Sequence, residues 1–320
     1  MKVRGGVNLN TEIANAVDAA DDKSQYDKQA KRLLAQKSIL AHILVRTIDE
    51  FRGMDPDDVV SYIEGEPYVG VVPVEPGLTN IETENNASDK QRIVGMNTEN
   101  SEINEGTIYF DIIFYVRIKD GLTQIIINIE AQKDEPTKYS ILNRAIFYVS
   151  RMISSQKERD FSKSDYDSIK RVVSIWICMD MESNSLSHIH LTKDEELEPY
   201  PWKGNLDLIH IVMVGIKREL SERNEKYELH RLIGALLSEK LEKSAKFEIL
   251  ENEYRIPMND GLRNEVDLMC NLSQGIEERA VEKTTESFIT GMYENNIPID
   301  KIAVITGKNE DEIKAILKIK

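Results

Sequence analysis

The chain contains few cysteines and no long apolar segment. Only Cys178 and Cys270 occur among its 320 residues, and two cysteines so far apart form neither a disulfide framework nor a zinc site. Every apolar run is shorter than the roughly 18 residues that a membrane-spanning helix needs. Residues 1–6 also lack the apolar stretch of a signal peptide. We therefore expect a protein of the reducing cytoplasm that has no membrane partner.

The sequence also lacks an excess of positive charge. It has 56 acidic residues against 41 Lys and Arg, which gives a formal net charge of −15. This balance argues against tight non-specific binding to nucleic acid, because affinity for phosphate normally comes from Lys and Arg. Between residues 105 and 180, however, acidic and basic residues are equally numerous. The acidic excess therefore lies outside the central region.

The central region contains the pattern of a β-hairpin. Asp120-Gly121 is the preferred dipeptide for a two-residue type I′ turn, and this turn places Asp111 opposite Glu130. Opposed β-carbons lie about 4.5–5.5 Å apart on one face of a sheet. Residues of the other parity should form a buried face, since nearly all are apolar: Phe110, Ile112, Phe114, Val116 and Ile118, opposite Ala131, Ile129, Ile127, Ile125 and Thr123 respectively. The Asp111/Glu130 face is mixed and polar.

Two carboxylates in near contact repel each other, so this pair favours a bound cation or a shared proton. A hard divalent cation fits well, because Mg²⁺ is commonly held by one or two carboxylates together with water and substrate phosphate. The alternative interpretation is a pair of solvated acids at the end of two strands. Both interpretations are open on the hairpin pattern alone.

The same residues resemble a known family. Asp111 and the run Glu130-Ala131-Gln132 are similar to the D…(E/D)xK signature of the PD-(D/E)XK nuclease superfamily, with Gln132 where Lys usually stands. Longer blocks resemble the recombination-promoting nucleases, the PD-(D/E)XK family transposases of bacteria. The resemblance covers roughly residues 25 to 320, and its blocks are residues 39–41, 49–51, 105–111, 129–132, 139–148, 154–156, 174–178 and 269–275.

The residues alone predict an α/β fold with an antiparallel hairpin. The resemblance implies a more specific fold and a function. It implies a restriction-endonuclease-like αβββαβ core, a mixed sheet flanked by helices, with a helical C-terminal extension. It also implies a Mg²⁺-dependent DNA endonuclease, linked to recombination or transposition, in which Mn²⁺ can substitute for Mg²⁺. Asp111 and Glu130 would bind the metal, and the carbonyl of Ala131 would be a further ligand.

The residue at the position of the family's lysine determines whether the predicted catalytic site is complete. Gln132 shares the parity of Glu130 and can orient the attacking water, but a neutral amide cannot stabilise the transition state by charge. Lys133 has the opposite parity and reaches the site only if a bulge intervenes. The competing hypothesis is therefore a catalytically lapsed nuclease fold, acting as an oligomerising or DNA-associated interaction module. We prefer the enzyme, since a lapsed site has no reason to retain two repelling carboxylates.

Two further residues are candidates for accessory roles. Arg144 recurs at helical spacing with Tyr148, Arg151 and Ser155, and it could hold a phosphate if that helix face borders the site. The alternative is a surface helix whose Arg stems cover apolar groups. Glu50 matches a family position and is either an outer carboxylate for the metal or an acid on a helix surface.

We expect residues 1–24 to be a flexible tail, 25–220 a nuclease-like domain and 221–320 a helical region. The expected elements are helices at 28–51, 56–64 and 139–156, a loop at 67–77, strands at 91–95, 171–179 and 210–214, and helices within 227–253 and 266–295. Two short helices, 299–306 and 310–318, flank Gly307. They form either a DNA-binding helix-turn-helix or a hairpin that docks on its own chain or a second copy.

Histidine and tryptophan residues outside these patterns have simpler interpretations. His188 and His190 alternate in a predicted strand and resemble metal ligands, but no third ligand is evident nearby, so we interpret them as strand-surface residues. Trp176 lies within an apolar strand and is predicted to be core. Trp202, beside Pro201, is predicted to anchor a loop rather than to stack on a nucleic-acid base.

Overall fold

A computed structural model describes residues 25–69, 99–102, 106–109, 112–117, 124–132, 139–157 and 160–319. The described residues form a mixed α/β structure, as the sequence predicts. The chain divides into two compact units, one made of residues 27–267 and another that includes residues 268–320.

The strands of the first unit form one mixed sheet and one small hairpin. They are β1 (Ile63–Val69), β2 (Glu99–Glu102), β3 (Gly106–Tyr109), β4 (Ile112–Arg117), β5 (Gln124–Gln132), β6 (Val172–Met181), β7 (Ser185–His190) and β8 (Ile209–Lys217). Six of them form a sheet in the order β1-β4-β5-β6-β8-β7, and β2 pairs with β3. The central strands β5, β6 and β8 are parallel, while β1, β4 and β7 join antiparallel to their neighbours.

The helices are α1 (residues 25–34), α2 (Lys37–Thr47), α3 (Pro56–Val60), α4 (Ile141–Ser154), α5 (Glu228–Leu237), α6 (Lys243–Glu248), α7 (Asp260–Glu294), α8 (Ile299–Thr306) and α9 (Glu310–Leu317). Short 3₁₀ turns lie at Asp49–Phe51, Tyr166–Ser168, Leu206–Leu208 and Glu225–Tyr227, and a π-helical segment, Ile249–Glu253, continues α6. None of the helices in the described ranges combines the length and the apolar character needed to cross a bilayer.

Helices cover both faces of the large sheet. Helix α4 is the crossover from β5 to the parallel strand β6, which needs a connection of this length, and its Ala145 packs in one cluster with Trp176 and Ile211. On the opposite face, Gly234 of α5 lies so close that an added Cβ would be 3.7 Å from Ile216 Cγ2. A strand buried on both faces reads as a continuous apolar run, which explains the sequence of β6.

The predicted register of the hairpin is confirmed for every described pair. Strands β4 and β5 pair from Ile112 with Ile129 to Arg117 with Gln124. The turn Asp120-Gly121 lies outside the described residues. The predicted apolar face is buried at its three described β4 positions, Ile112, Phe114 and Val116; Phe110 and Ile118 are not among the described residues.

The other face of β4 is mixed, as predicted. Arg117 is exposed, whereas Ile113 is only 1% exposed and packs with Ile141 and Val149 of α4. Helix α4 therefore covers part of the face of β4 that carries the odd-numbered residues. The hairpin pattern did not show this, because the covering helix follows later in the chain.

The prediction was also wrong where α3 ends. Asp55 caps α3, since its carboxylate accepts a hydrogen bond from Asp57 N at 3.0 Å, but the helix stops at Val60 rather than at Glu64. The chain then enters β1, which includes part of the predicted loop. The register of β1 against β4 shifts between Glu64 and Tyr68, and such a bulge at a sheet edge tolerates Pro67. The strand predicted at 91–95 lies outside the described residues.

The C-terminal helical hairpin has the predicted bounds to within one residue. Helix α8 ends at Gly307, whose φ of 70° is the left-handed conformation that favours glycine. Helix α9 begins with a capping box in which Asn309 and Glu312 bond each other's backbone N–H. Ile289, Ile302 and Ile313 are fully buried together. The hairpin therefore has its own small core.

One buried glutamine ties α4 to the start of β6. Gln156 is fully buried. Its Nε2 donates to the Lys170 carbonyl at 2.9 Å, and its Oε1 accepts from the Lys170 N–H at 2.8 Å. The side chain thus replaces a backbone pairing partner for Lys170, just before the strand begins.

We predict that Gln156→Leu lowers the free energy of unfolding by about 1–3 kcal/mol, because the Lys170 amide and carbonyl lose their partners. Urea unfolding followed by circular dichroism measures the change. The matched control is Gln36→Leu, which removes only a 3.4 Å hydrogen bond on an exposed surface and should change stability by less than about 0.5 kcal/mol. Equal effects of the two variants would contradict this role.

Candidate functional site

The described part of the candidate site lies at the carboxyl end of β5. Within the parallel pair, Glu130 is the Cα partner of Trp176 and Gln132 is the partner of Cys178. The last described pair of β4 and β5 is Ile112 with Ile129. Asp111 and Lys133 both lie outside the described residues. The opposition of Asp111 and Glu130 therefore stays a prediction that continues the confirmed register by one residue.

Arg144 lies beside the strand position that pairs with Glu130. Its guanidinium carbon is 5.3 Å from the centre of the Trp176 ring and 4.7 Å from that of Tyr148. Its Nη2 donates to the Tyr148 hydroxyl at 2.7 Å, and its Nη1 donates to the Tyr139 hydroxyl at 3.3 Å. Three aromatic side chains therefore fix the direction of this charge, at a distance where cation–π attraction is favourable.

Trp176 lies beneath the Arg144 guanidinium and supports it. It is fully buried, as predicted for a core residue. Its indole N–H donates to Ser174 Oγ at 2.9 Å, and its ring packs edge-on against Tyr148 with centroids 5.6 Å apart. Because the indole has its only donor satisfied, it can stay buried under Arg144 without cost from an unpaired polar group.

The helix face predicted from Arg144, Tyr148, Arg151 and Ser155 is present and faces inward. Tyr148, Arg151 and Ser155 are all buried, and Arg144 is partly exposed. Burial lowers the pKa of Arg151. Arg144 is thus the member of this face that combines a positive charge with access to solvent.

Glu50 has a different neighbourhood from the one that the resemblance implies. Its Oε1 lies 2.6 Å from Arg171 Nη2, and Arg171 also pairs with Asp207. Arg171 precedes β6, five positions before Trp176, which is roughly 16 Å along a strand. The structure therefore places Glu50 near the amino end of β6 and pairs it with an arginine there.

Sequence reasoning missed His210. We expected no third ligand near His188 and His190, but His210 lies opposite His190 in the β7–β8 pairing. Its Nε2 is 3.1 Å from His188 Nδ1. Burial is the main cause that lowers the pKa of both His188 and His210. The signal was the position of His210 at the start of a predicted strand, but only the strand order shows which strand it joins.

A separate cavity of about 270 Å³ lies between α2 and α5. His42, Arg46, Glu228 and Tyr254 are among its lining residues. Arg46 forms an ion pair with Glu228, and the Tyr254 hydroxyl donates to the Glu228 carbonyl at 2.7 Å. Burial lowers the pKa of His42 to about 4 and raises the pKa of Tyr254 to about 12. Both groups are therefore neutral at pH 7, which suits packing better than proton transfer.

Comparisons with known proteins do not assign the chain to a family. No family model matches the chain, and neither the curated proteins nor the solved structures give a match. Among the side chains that the structure describes, no group of three or more His, Cys, Asp or Glu residues is arranged to hold a metal ion. Asp111, the first predicted metal ligand, is not among them.

We predict that His42 makes the protein less stable as the pH falls. Its pKa is about 4 in the folded chain, against 6.5 for an ordinary solvated histidine, so the unfolded chain binds the proton first. The stability that neutral His42 contributes is present above pH 6.5 and is lost as the pH falls toward 4, on the order of 2 kcal/mol.

Urea unfolding of the parent and of His42→Gln at about pH 7.5, 5.5 and 4.5 measures this effect, since these values span the interval between the two pKa values. The parent should lose more stability than the variant over this range, because glutamine does not titrate. Parallel pH profiles for the two proteins would refute the prediction. Refolding at neutral pH after exposure to the most acidic buffer establishes that the transitions are reversible.

Proposed function

We propose that this chain is a Mg²⁺-dependent DNA endonuclease of the PD-(D/E)XK kind, with a restriction-endonuclease-like core. The observation that carries the proposal is the register of β4 and β5. Continuing this pairing by one residue beyond Ile112 and Ile129 opposes Asp111 and Glu130. Two opposed carboxylates at the end of a hairpin provide the oxygen ligands that Mg²⁺ prefers.

The order of elements supports the same proposal. A helix, α2, precedes the three antiparallel neighbours β1, β4 and β5. Helix α4 then crosses to β6, which runs parallel to β5. Apart from the short helix α3 and the small hairpin of β2 and β3, this order is the one expected of an αβββαβ core. Among the described residues, β1 takes the first β position, and the strand predicted at 91–95 lies outside them.

The chemistry is divided among a few side chains of this chain. Asp111 and Glu130 would hold the metal, and the carbonyl of Ala131 would complete the protein's share of ligands. A bound Mg²⁺ would polarise the scissile phosphate and lower the pKa of the attacking water. Gln132, two residues after Glu130 in the same strand, would accept or donate a hydrogen bond that orients this water.

Arg144 can supply the positive charge that Gln132 lacks. The family motif has a lysine where this chain has a neutral amide, so a positive charge is missing from β5. Arg144 brings a guanidinium over Trp176, the Cα partner of Glu130. A guanidinium binds phosphate oxygens through two parallel hydrogen bonds and stays charged at all relevant pH values. We assign Arg144 to the phosphate and expect it to stabilise the charge that develops during hydrolysis.

A plasmid-nicking assay tests the proposal. The parent should nick supercoiled DNA with Mg²⁺ or Mn²⁺ and lose this activity with EDTA. The isosteric variants Asp111→Asn and Glu130→Gln should cleave at least about 100-fold more slowly, because each removes a charged ligand of the metal. Circular dichroism checks that both variants fold. Cleavage by all three proteins at the same rate would sink the assignment.

If none of the three proteins cleaves any DNA substrate under these conditions, the proposed activity is wrong. DNA binding that survives in all three would then favour the lapsed nuclease fold that acts as an interaction module. Gel-shift titrations of the same preparations with single-stranded and double-stranded DNA measure this directly.

The proposed role of Arg144 has its own test. Arg144→Met should lower kcat about tenfold or more while the protein stays folded, since the phosphate loses a charge-assisted partner. Arg144→Lys should recover part of the rate, because it restores the charge without the bidentate geometry. The control is Arg117→Met, which removes an exposed arginine paired with Glu64 at the other end of β4. Full activity in Arg144→Met would contradict the assignment.

A further inference from the structure

Three of the five histidines lie together at one edge of the sheet. His188 and His190 are two residues apart in β7, the edge strand, so they point to the same face. His210 is the Cα partner of His190 in β8. Residues opposed in this way have their β-carbons about 4.5–5.5 Å apart. The fold therefore gathers three imidazoles from sequence positions about 20 residues apart.

Two of these rings are joined by a hydrogen bond. The distance from His188 Nδ1 to His210 Nε2 is 3.1 Å, and a metal ion would replace the shared proton. Two imidazole nitrogens bound to one Zn²⁺ at about 2.0–2.1 Å with a tetrahedral angle are about 3.3 Å apart. The ring centroids of His188 and His210 are 5.2 Å apart, so the rings meet by their nitrogens rather than by stacked faces.

His190 is the third ring and the most accessible one. Its centroid lies 6.2 Å from that of His210, nearly perpendicular to it, and its side chain is exposed while His210 is buried. The three rings are not arranged around one point, so metal binding requires His190 to change its side-chain conformation.

The charges near the rings do not oppose a bound cation. Burial disfavours the charged form of His188 and His210, and imidazole binds a metal in its neutral form. Two positive groups stand near them, Arg52 and Arg171. Arg52 pairs with Asp49 at 2.5 Å, and Arg171 pairs with Glu50 and Asp207, so these charges are offset locally.

We propose that His188, His190 and His210 form a binding site for a divalent transition metal ion of the zinc class, with a fourth position open to water. Three imidazoles select Zn²⁺, Co²⁺ or Ni²⁺ over Mg²⁺, which prefers oxygen ligands. This site is separate from the proposed nuclease centre and does not depend on it. An ion held here would link the edge strand β7 to β8.

The test uses the full chain, stripped of metal with a chelator and then titrated with Co²⁺ in excess Mg²⁺. The parent should bind one Co²⁺ with the visible absorption of a four- or five-coordinate site, and Zn²⁺ should displace it. The double variant His188→Gln/His190→Gln should lose this absorption or bind Co²⁺ at least about tenfold more weakly. Losing a residue that merely orients a metal ligand already weakens metal binding about tenfold or more, and this variant loses two ligands. His210→Gln should behave in the same way.

The matched controls are the two histidines elsewhere in the chain. His42→Gln and His230→Gln should keep the parent's Co²⁺ absorption and affinity. A melting temperature that rises with Zn²⁺ in the parent, and not in His188→Gln/His190→Gln, provides a second measurement if His210→Gln fails to fold. Absence of the Co²⁺ spectrum in the folded parent, or an equal spectrum in His188→Gln/His190→Gln, would overturn the proposal.

Discussion

The burial of β6 between two layers of helices is the constraint on which the rest of the first unit depends. From Val172 to Cys178 the strand is covered on both faces, and β5 and β8 pair along its two edges. Burying this much apolar surface is the main favourable contribution to folding. It also favours partners for the polar groups at the start of β6: the Lys170 N–H donates to Gln156 Oε1, and Arg171 forms an ion pair with Glu50.

The two ends of β6 consequently have different chemistry. At the amino end, an arginine is held by two acids, and three histidines lie on the neighbouring strands β8 and β7. Toward the carboxyl end of β5, Arg144 is stacked on aromatic rings beside the position of Glu130. The structure thus separates a cluster rich in imidazole from the candidate phosphate site. The two proposed sites would take different classes of cation, because nitrogen and oxygen ligands select different metals.

Local signals predicted the parts of the fold that local geometry determines. A two-residue turn and strict alternation determine a hairpin register, so the pairing of Ile112 with Ile129 was predictable, and so was the break at Gly307. Strand β1 was not predictable, because Gly65 and Pro67 are typical of loops and only pairing with β4 makes this segment a strand. His210 was missed for the same reason. Its neighbours His188 and His190 lie in β7, and no local sequence pattern shows that β7 pairs with β8. The site at Glu130 is predictable only through the register of β4 and β5.

The irregularity of β1 has a consequence for how the protein behaves at high concentration. An edge strand presents unpaired backbone groups to any other chain that can add a further strand, and this is a common route to aggregation. In β1, Pro67 lacks an N–H, Gly65 has a φ of 63°, and Glu66 is a charged neighbour of Lys37. A second polypeptide cannot form a regular ladder along such an edge. Among the described strands β1 is the outermost on that side, so the same interruption that makes it look like a loop in the sequence opposes the addition of a strand from another chain.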